Sequence, residues 1–138
     1  MKTIVVGYDD TEPAKRALKR GAELAEALGA KLVVTSVASV QHGVGLGRTG
    51  PLDPTDTPEM HSEELKSAAA MLQELGVEAE YVRAIGEPAE TIVELADQRE
   101  ADMIIIGARD LGVVQRMIGQ RVSTVVTRQA HSDVLIVH

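Results

Sequence analysis

Apolar residues recur along this chain in two rhythms: short continuous runs, and longer stretches with a helical period. The run KTIVVGYD over 2–9 is rich in β-branched residues and ends in a glycine and acids. It predicts a strand buried on both faces. In 11–29 the residues Ala14, Ala17, Leu18, Gly21, Ala25 and Leu28 fall on one helical stripe. Thr11 suits the N-cap, Pro13 the first turn, and Gly29 the stop. The same logic predicts a second buried strand over 30–39 and a helix over 59–76. A more exposed, alternating strand follows over 77–85, then a helix over 89–101. The most apolar strand is expected over 101–108, a helix over 113–130, and a last strand over 133–138. In the helix over 113–130, Val113, Met117, Val122, Val125 and Val126 are available for one side.

Strands alternating with helices of this length imply crossover connections, hence a three-layer α/β domain on an open, twisted parallel sheet. Ligands in such sheets bind beyond the carboxyl ends of the strands, at the topological switch point. Three segments distant in sequence are thereby expected at one crevice: Tyr8–Asp10, Val37–Ser39 and Gly107–Gly112. The span 40–58 has four glycines, three prolines and few large apolar residues, and reads as a long flexible loop. Its run GVGLG lacks the spacing and the following helix of a dinucleotide fingerprint.

Composition narrows the function classes. The chain has 138 residues, enough for one domain spanning 1–138. Phe and Trp are absent, leaving Tyr8 and Tyr81 as the aromatic side chains. The core must be aliphatic. A net charge of −7 argues against nucleic acid and against an anionic membrane surface as partners. Without cysteine there is no disulfide, thiol nucleophile or thiolate-bound zinc. The first apolar run is too short for a signal peptide, and no run approaches the ~18 residues that span a bilayer. A cytoplasmic location is expected. His42, His61, His131 and His138 show no metal-ligand spacing, so no metal is expected. Nor is there a nucleophile–base set or a carboxylate pair, so no catalytic residue is assigned. Asp9 reads equally as a ligand-facing carboxylate or as a structural one, and Asp10 reads as a helix N-cap.

Three segments carry a family resemblance: IVVGYDDTEPAKRALKRGAELAEALGAKLVVTSV, GEPAETIVELADQREADMIIIGARDLG and VSTVVTRQAHSDVLIVH. In this order and at this spacing they resemble the universal stress protein family along the whole chain. The resemblance implies a five-stranded parallel sheet in the order 3-2-1-4-5, of the Rossmann-like, adenine nucleotide alpha-hydrolase-like type. It also implies a cytoplasmic homodimer built through the last strand, here Val134, Leu135, Ile136 and Val137. Such a strand, apolar on both faces, invites pairing with another chain. One branch of the family binds ATP and another does not. In the ATP branch an Asp ending the first strand meets adenine, as Asp9 would here. A backbone position late in the second strand does likewise, as Val37 would.

The family's phosphates rest on a Gly-x2-Gly-x9-Gly-Ser/Thr motif after the fourth strand. Here Gly107 starts it, followed by Ala108 and Arg109, but Asp110 stands at the second glycine. Gln120 stands at the third, and Arg121 replaces the hydroxyl residue. Shifting by one recovers Gly119 but spoils the register that keeps Ser123 and the last strand aligned. Backbone N–H groups of a glycine-rich nest bind phosphate because nothing shields them. A carboxylate ~4 Å from a phosphate charge costs on the order of 1 kcal/mol in water and about 4 kcal/mol at an effective dielectric near 20. A tenfold loss of affinity needs about 1.4 kcal/mol. Arg109, Arg116 and Arg121 are placed either to offset the repulsion or to pair with Asp110 instead. The expectation is therefore a nucleotide crevice with a degenerate phosphate end, binding ATP or another adenine nucleotide weakly or not at all. The alternative is an ATP-binding switch with slow hydrolysis.

Overall fold

The computed structural model describes residues 2–38, 58–108 and 124–138. Five strands, β1 (Thr3–Gly7), β2 (Lys31–Ala38), β3 (Glu80–Ile85), β4 (Met103–Gly107) and β5 (Asp133–Val137), form one sheet in the order β3-β2-β1-β4-β5. All four pairings are parallel, as strands joined by helical crossovers require. Helices α1 (Glu12–Leu28), α2 (Pro58–Leu75) and α3 (Pro88–Gln98) lie between them, and residues 124–129 are helical before β5.

Each element starts and stops for a local reason. The Thr11 hydroxyl accepts from the Ala14 amide at 3.3 Å, and Pro13 sits in the first turn, where no intrahelical donor is lost. Gly29 ends α1 in the left-handed conformation at φ 65°. The stripe expected on α1 is buried at Ala14, Ala17, Leu18, Gly21 and Ala25. Leu28 departs from it and is 47% exposed. The loop expected over 40–58 ends one residue early, since Pro58 opens α2; its remaining positions lie outside the described residues.

Two apolar layers sandwich the sheet. On one face Ile4, Val6, Leu32, Val34 and Ile105 meet Ala17 and Leu18 of α1 and Leu72 of α2. On the other, Val5, Val33, Ile104 and Ile106 meet Ile92, Val93 and Ala96 of α3 together with Val126. Alternate residues of the central strands are thus buried on opposite faces, which is why those strands are apolar throughout. Val125 and Val126 join the second layer, while Val113, Met117 and Val122 lie outside the described residues.

Candidate functional site

The strand order makes β1 central, with β2 and β3 on one side and β4 and β5 on the other. The switch point is therefore between β1 and β4, and the carboxyl ends of β2, β1 and β4 stand side by side. The register pairs Gly7 with Thr35, and the Tyr8 amide donates to the Thr35 carbonyl at 2.9 Å. Two residues further along each strand, Asp9 and Val37 come level. Among the expected crevice residues, Asp9, Val37 and Gly107 belong to these converging ends. Arg109, Asp110, Gly119, Gln120, Arg121 and Ser123 lie outside the described residues, as do His42 and Arg116.

Asp9 organises the turn that leads into α1. Its Oδ1 accepts from the Thr11 hydroxyl at 2.6 Å and from the Thr11 amide at 3.2 Å. Thr11 in turn caps the helix. The half-buried carboxylate is thus held in one orientation just past the carboxyl end of β1, because its neighbour's side chain and backbone both donate to it.

Asp10 does not cap α1, contrary to the expectation from sequence. Thr11 has that place, and Asp10 instead adopts the left-handed conformation, φ 63°. Its Oδ1 accepts from the Tyr8 hydroxyl at 2.9 Å and from the Ser67 hydroxyl at 3.0 Å, with Lys15 Nζ at 3.9 Å. Aspartate tolerates this conformation better than most residues, and these partners hold it there.

The Tyr8–Ser67 pair could not be anticipated from sequence spacing. The Tyr8 ring is buried, and its hydroxyl lies 3.3 Å from Ser67 Oγ and 3.9 Å from Met71 Sδ. Burial, with the Asp10 carboxylate adding to it, pushes the Tyr8 phenol up to about 12, although Ser67 pulls the other way. Tyr8 therefore stays a neutral donor. Beside it the fully buried Ser36 donates to Glu64 Oε1 at 2.6 Å. Two polar ties thereby fasten α2 to the carboxyl ends of β1 and β2.

Val37 is half-buried, packs toward the α3 face, and pairs with Ala84 of β3. Gly107, the last residue of β4, has a packing role of its own. A Cβ there would lie 2.4 Å from the Pro13 carbonyl carbon and 2.7 Å from the Ala14 amide nitrogen. Only glycine lets the first turn of α1 close over the end of β4. This requirement would hold whether or not Gly107 also begins a phosphate motif.

At the sheet edge, β5 pairs with β4 alone among the described strands. Val134, Leu135 and Ile136 are half-buried and Val137 is buried. The Asp133 amide donates to the Asp102 carbonyl, and the Val137 carbonyl accepts from the Ala108 amide. With a period of two, the backbone groups of Asp133, Leu135 and Val137 face β4, and those of Val134 and Ile136 face the open edge. His131 is drawn to Asp97 at 3.3 Å. No helix among the described residues is long and apolar enough to cross a membrane.

The chain matches the Universal stress protein family over residues 1–138. A universal stress protein of Mycobacterium tuberculosis is 32% identical, the alignment covering 99% of this chain and 96% of the relative. One of Methanocaldococcus jannaschii is 30% identical over 99% of this chain and 81% of its own. Among solved structures, a universal stress protein in complex with cAMP superposes with a TM-score of 0.76 at 27% identity, over 99% of this chain and 97% of the other. A universal stress protein from Archaeoglobus fulgidus in complex with dAMP gives 0.73 at 28% identity, over 100% and 98%. Strand order, whole-length match and sequence identity agree, and this chain belongs to the universal stress protein family.

Proposed function

We propose that this chain is a single-domain, non-catalytic stress-response module of the cytoplasm, homodimeric through β5, whose crevice takes the adenosine end of a nucleotide and accepts a triphosphate weakly or not at all. Asp9 and Val37 would meet the base. The stretch from Gly107 through Arg109, Asp110, Gly119, Gln120, Arg121 and Ser123 would border the phosphates. The observation that carries this reading is the replacement of the motif's second glycine, third glycine and hydroxyl residue by Asp110, Gln120 and Arg121. The complexes of related proteins with cAMP and dAMP support an adenine ligand with a single phosphate. The second reading, an ATP switch, rests on Arg109, Arg116 and Arg121, cations that would take over the lost contacts.

Calorimetric titration with AMP and with ATP and Mg²⁺, on wild type and Asp110→Gly, separates the two. Binding of ATP by the variant but not by the wild type is the expected result, with AMP bound by both. Micromolar ATP binding by the wild type would overturn the degenerate-site reading in favour of the switch. An Asp9→Ala variant that keeps its melting temperature and binds AMP unchanged would remove Asp9 from the site.

A further inference from the structure

The opposite end of the sheet carries a second concave surface, away from the crevice. A groove runs over the amino ends of β2 and β3, between the carboxyl-terminal turns of α1 and α2. Its walls are small, Ala25 on α1 and Ala69 on α2, and its floor is Leu32 with Tyr81. Three of the four large apolar side chains left exposed among the described residues belong to the elements around it: Leu28, Leu75 and Tyr81. Tyr81 lines the trough, Leu28 and Leu75 end the two helices that flank it, and exposed apolar surface next to a concave surface is a common mark of a protein contact.

The charge around the groove is one-sided. Glu26 and Glu78 line it, and Glu74 stands in the last turn of α2. None of these three has a hydrogen-bond or ion-pair partner among the described residues. The basic lining residue, Lys31, is spent on Glu80 at 3.3 Å. Glu80 is also gripped by Arg99, whose guanidinium holds its carboxyl below the ordinary range. Both helices end here, and neither has a basic residue in its last turn. Each carboxyl terminus carries about half a negative elementary charge. Glu26 and Glu74 therefore sit where a helix prefers cations. Local rules broken together around an open apolar groove are what a binding surface leaves behind.

We propose that this groove receives a basic amphipathic helix of a partner protein, its apolar stripe in the trough and its Lys or Arg residues over Glu26, Glu74 and Glu78. The small walls leave room for large anchors at i, i+4 and i+7. Flanking cations complete the negative ends of α1 and α2. A second copy docking by this same face would set Glu26, Glu74 and Glu78 against their own counterparts, and an anionic membrane is disfavoured by the same carboxylates.

The probe is an 18-residue synthetic helix of Leu and Lys, titrated into the full chain by amide chemical-shift mapping, beside a Leu and Glu helix of equal length. The expected result is saturable binding of the basic peptide, with shifts at Ala25, Ala69 and Tyr81. Leu75→Ser combined with Glu26→Lys should weaken it by about tenfold or more, since one removes an apolar contact at the groove's rim and the other reverses a lining charge. Glu90→Lys combined with Glu94→Lys on α3, twice the change in net charge, should weaken it by about threefold at most. Leu75 is 43% exposed, so an unchanged melting temperature keeps loss of binding distinct from unfolding. Equal loss in both double variants means non-specific attraction and overturns the proposal. So does equal binding of the acidic helix, or no binding of either. A wild-type dimer that Leu75→Ser dissolves would assign the groove to a second copy instead.

Discussion

Glycine at 107 and glycine at 21 both admit a close neighbour, but they should not be equally replaceable. At Gly107 the added methyl would collide with the Pro13 backbone and the Ala14 amide nitrogen, which move only if α1 moves. At Gly21 the nearest atom is the Val6 Cγ2 methyl at 2.8 Å, a side-chain atom that must give way but whose displacement leaves the backbone in place. Gly107→Ala is expected to cost about 3 kcal/mol, the upper end for overpacking, and Gly21→Ala about 1 kcal/mol. For a domain of this size the first lowers the melting temperature by about 10 °C and the second by about 3 °C. Equal drops in thermal denaturation would show that the close approach at Gly107 is not what its neighbours require. Asp102 gives a pH test. It accepts from the Lys2 amide at 2.7 Å and the Thr3 amide at 3.1 Å, which hold its carboxyl below the ordinary range. A depressed folded-state value means its stabilisation is complete above the unfolded value of about 4 and disappears as pH falls through the folded one. Asp102→Ala should therefore melt below the wild type at neutral pH, and the two curves should converge in acid. A constant gap across that range would mean that packing, not the charge, is what Asp102 supplies.

Helix α2 shows how an element depends on contacts far away in the chain. Tyr8 and Ser67 are 59 positions apart, yet with Asp10 and the Ser36–Glu64 bond they pin α2 where it approaches the crevice. Tyr8→Phe keeps the ring and deletes the hydroxyl. The net loss is expected to be about 1 kcal/mol, or about 3 °C. Amide exchange should accelerate in α2 around Ser67 more than in α1. Uniform acceleration over both helices would show that the tie stabilises the whole fold and not the docking of α2. The same contrast marks how far sequence could reach. Among the described residues, strand and helix bounds are legible within two or three residues, because burial on both faces of β1, β2 and β4 and the stripe on α1 are periodic properties of the chain itself. Asp10 was misjudged because Asp10 and Thr11 are both good capping residues, and a partner on α2 decides between them. Leu28 fits the stripe but escapes burial for a geometric reason. Seventeen helical residues extend about 25 Å, whereas the five-residue strands beneath them extend about 17 Å. Helix α1 is longer than these strands, and the excess falls at its last residue, Leu28, while Ala25 one turn earlier is still buried. Of the nine candidate crevice residues, Asp9, Val37 and Gly107 are described; the structural duties of Asp9 and Gly107 belong to contacts with Thr11 and α1 that no motif encodes.

For the whole molecule the decisive question is what β5 faces. Its half-buried side chains already belong to both apolar layers: Leu135 packs with the α1 side, and Val134 and Ile136 with the α3 side. A dimer through this strand would gain mainly backbone hydrogen bonds, and those can come only from Val134 and Ile136, whose amides point away from β4. Hydrogen exchange can read this directly. The amides of Leu135 and Val137 should be protected at every concentration, because β4 satisfies them within one chain. Those of Val134 and Ile136 should be protected in the dimer and lose protection on dilution, as the sedimentation mass falls toward the 14.7 kDa of one chain. Val134→Pro removes one outward amide and leaves the ladder to β4 in place, since proline is tolerated where an edge N–H faces outward. It should shift the equilibrium to monomer at concentrations where the wild type is paired. Exchange of Val134 and Ile136 that is fast at all concentrations, with a monomeric mass throughout, would rule out pairing through β5. Protection without concentration dependence, in a monomer, would mean that the edge is already covered within the chain.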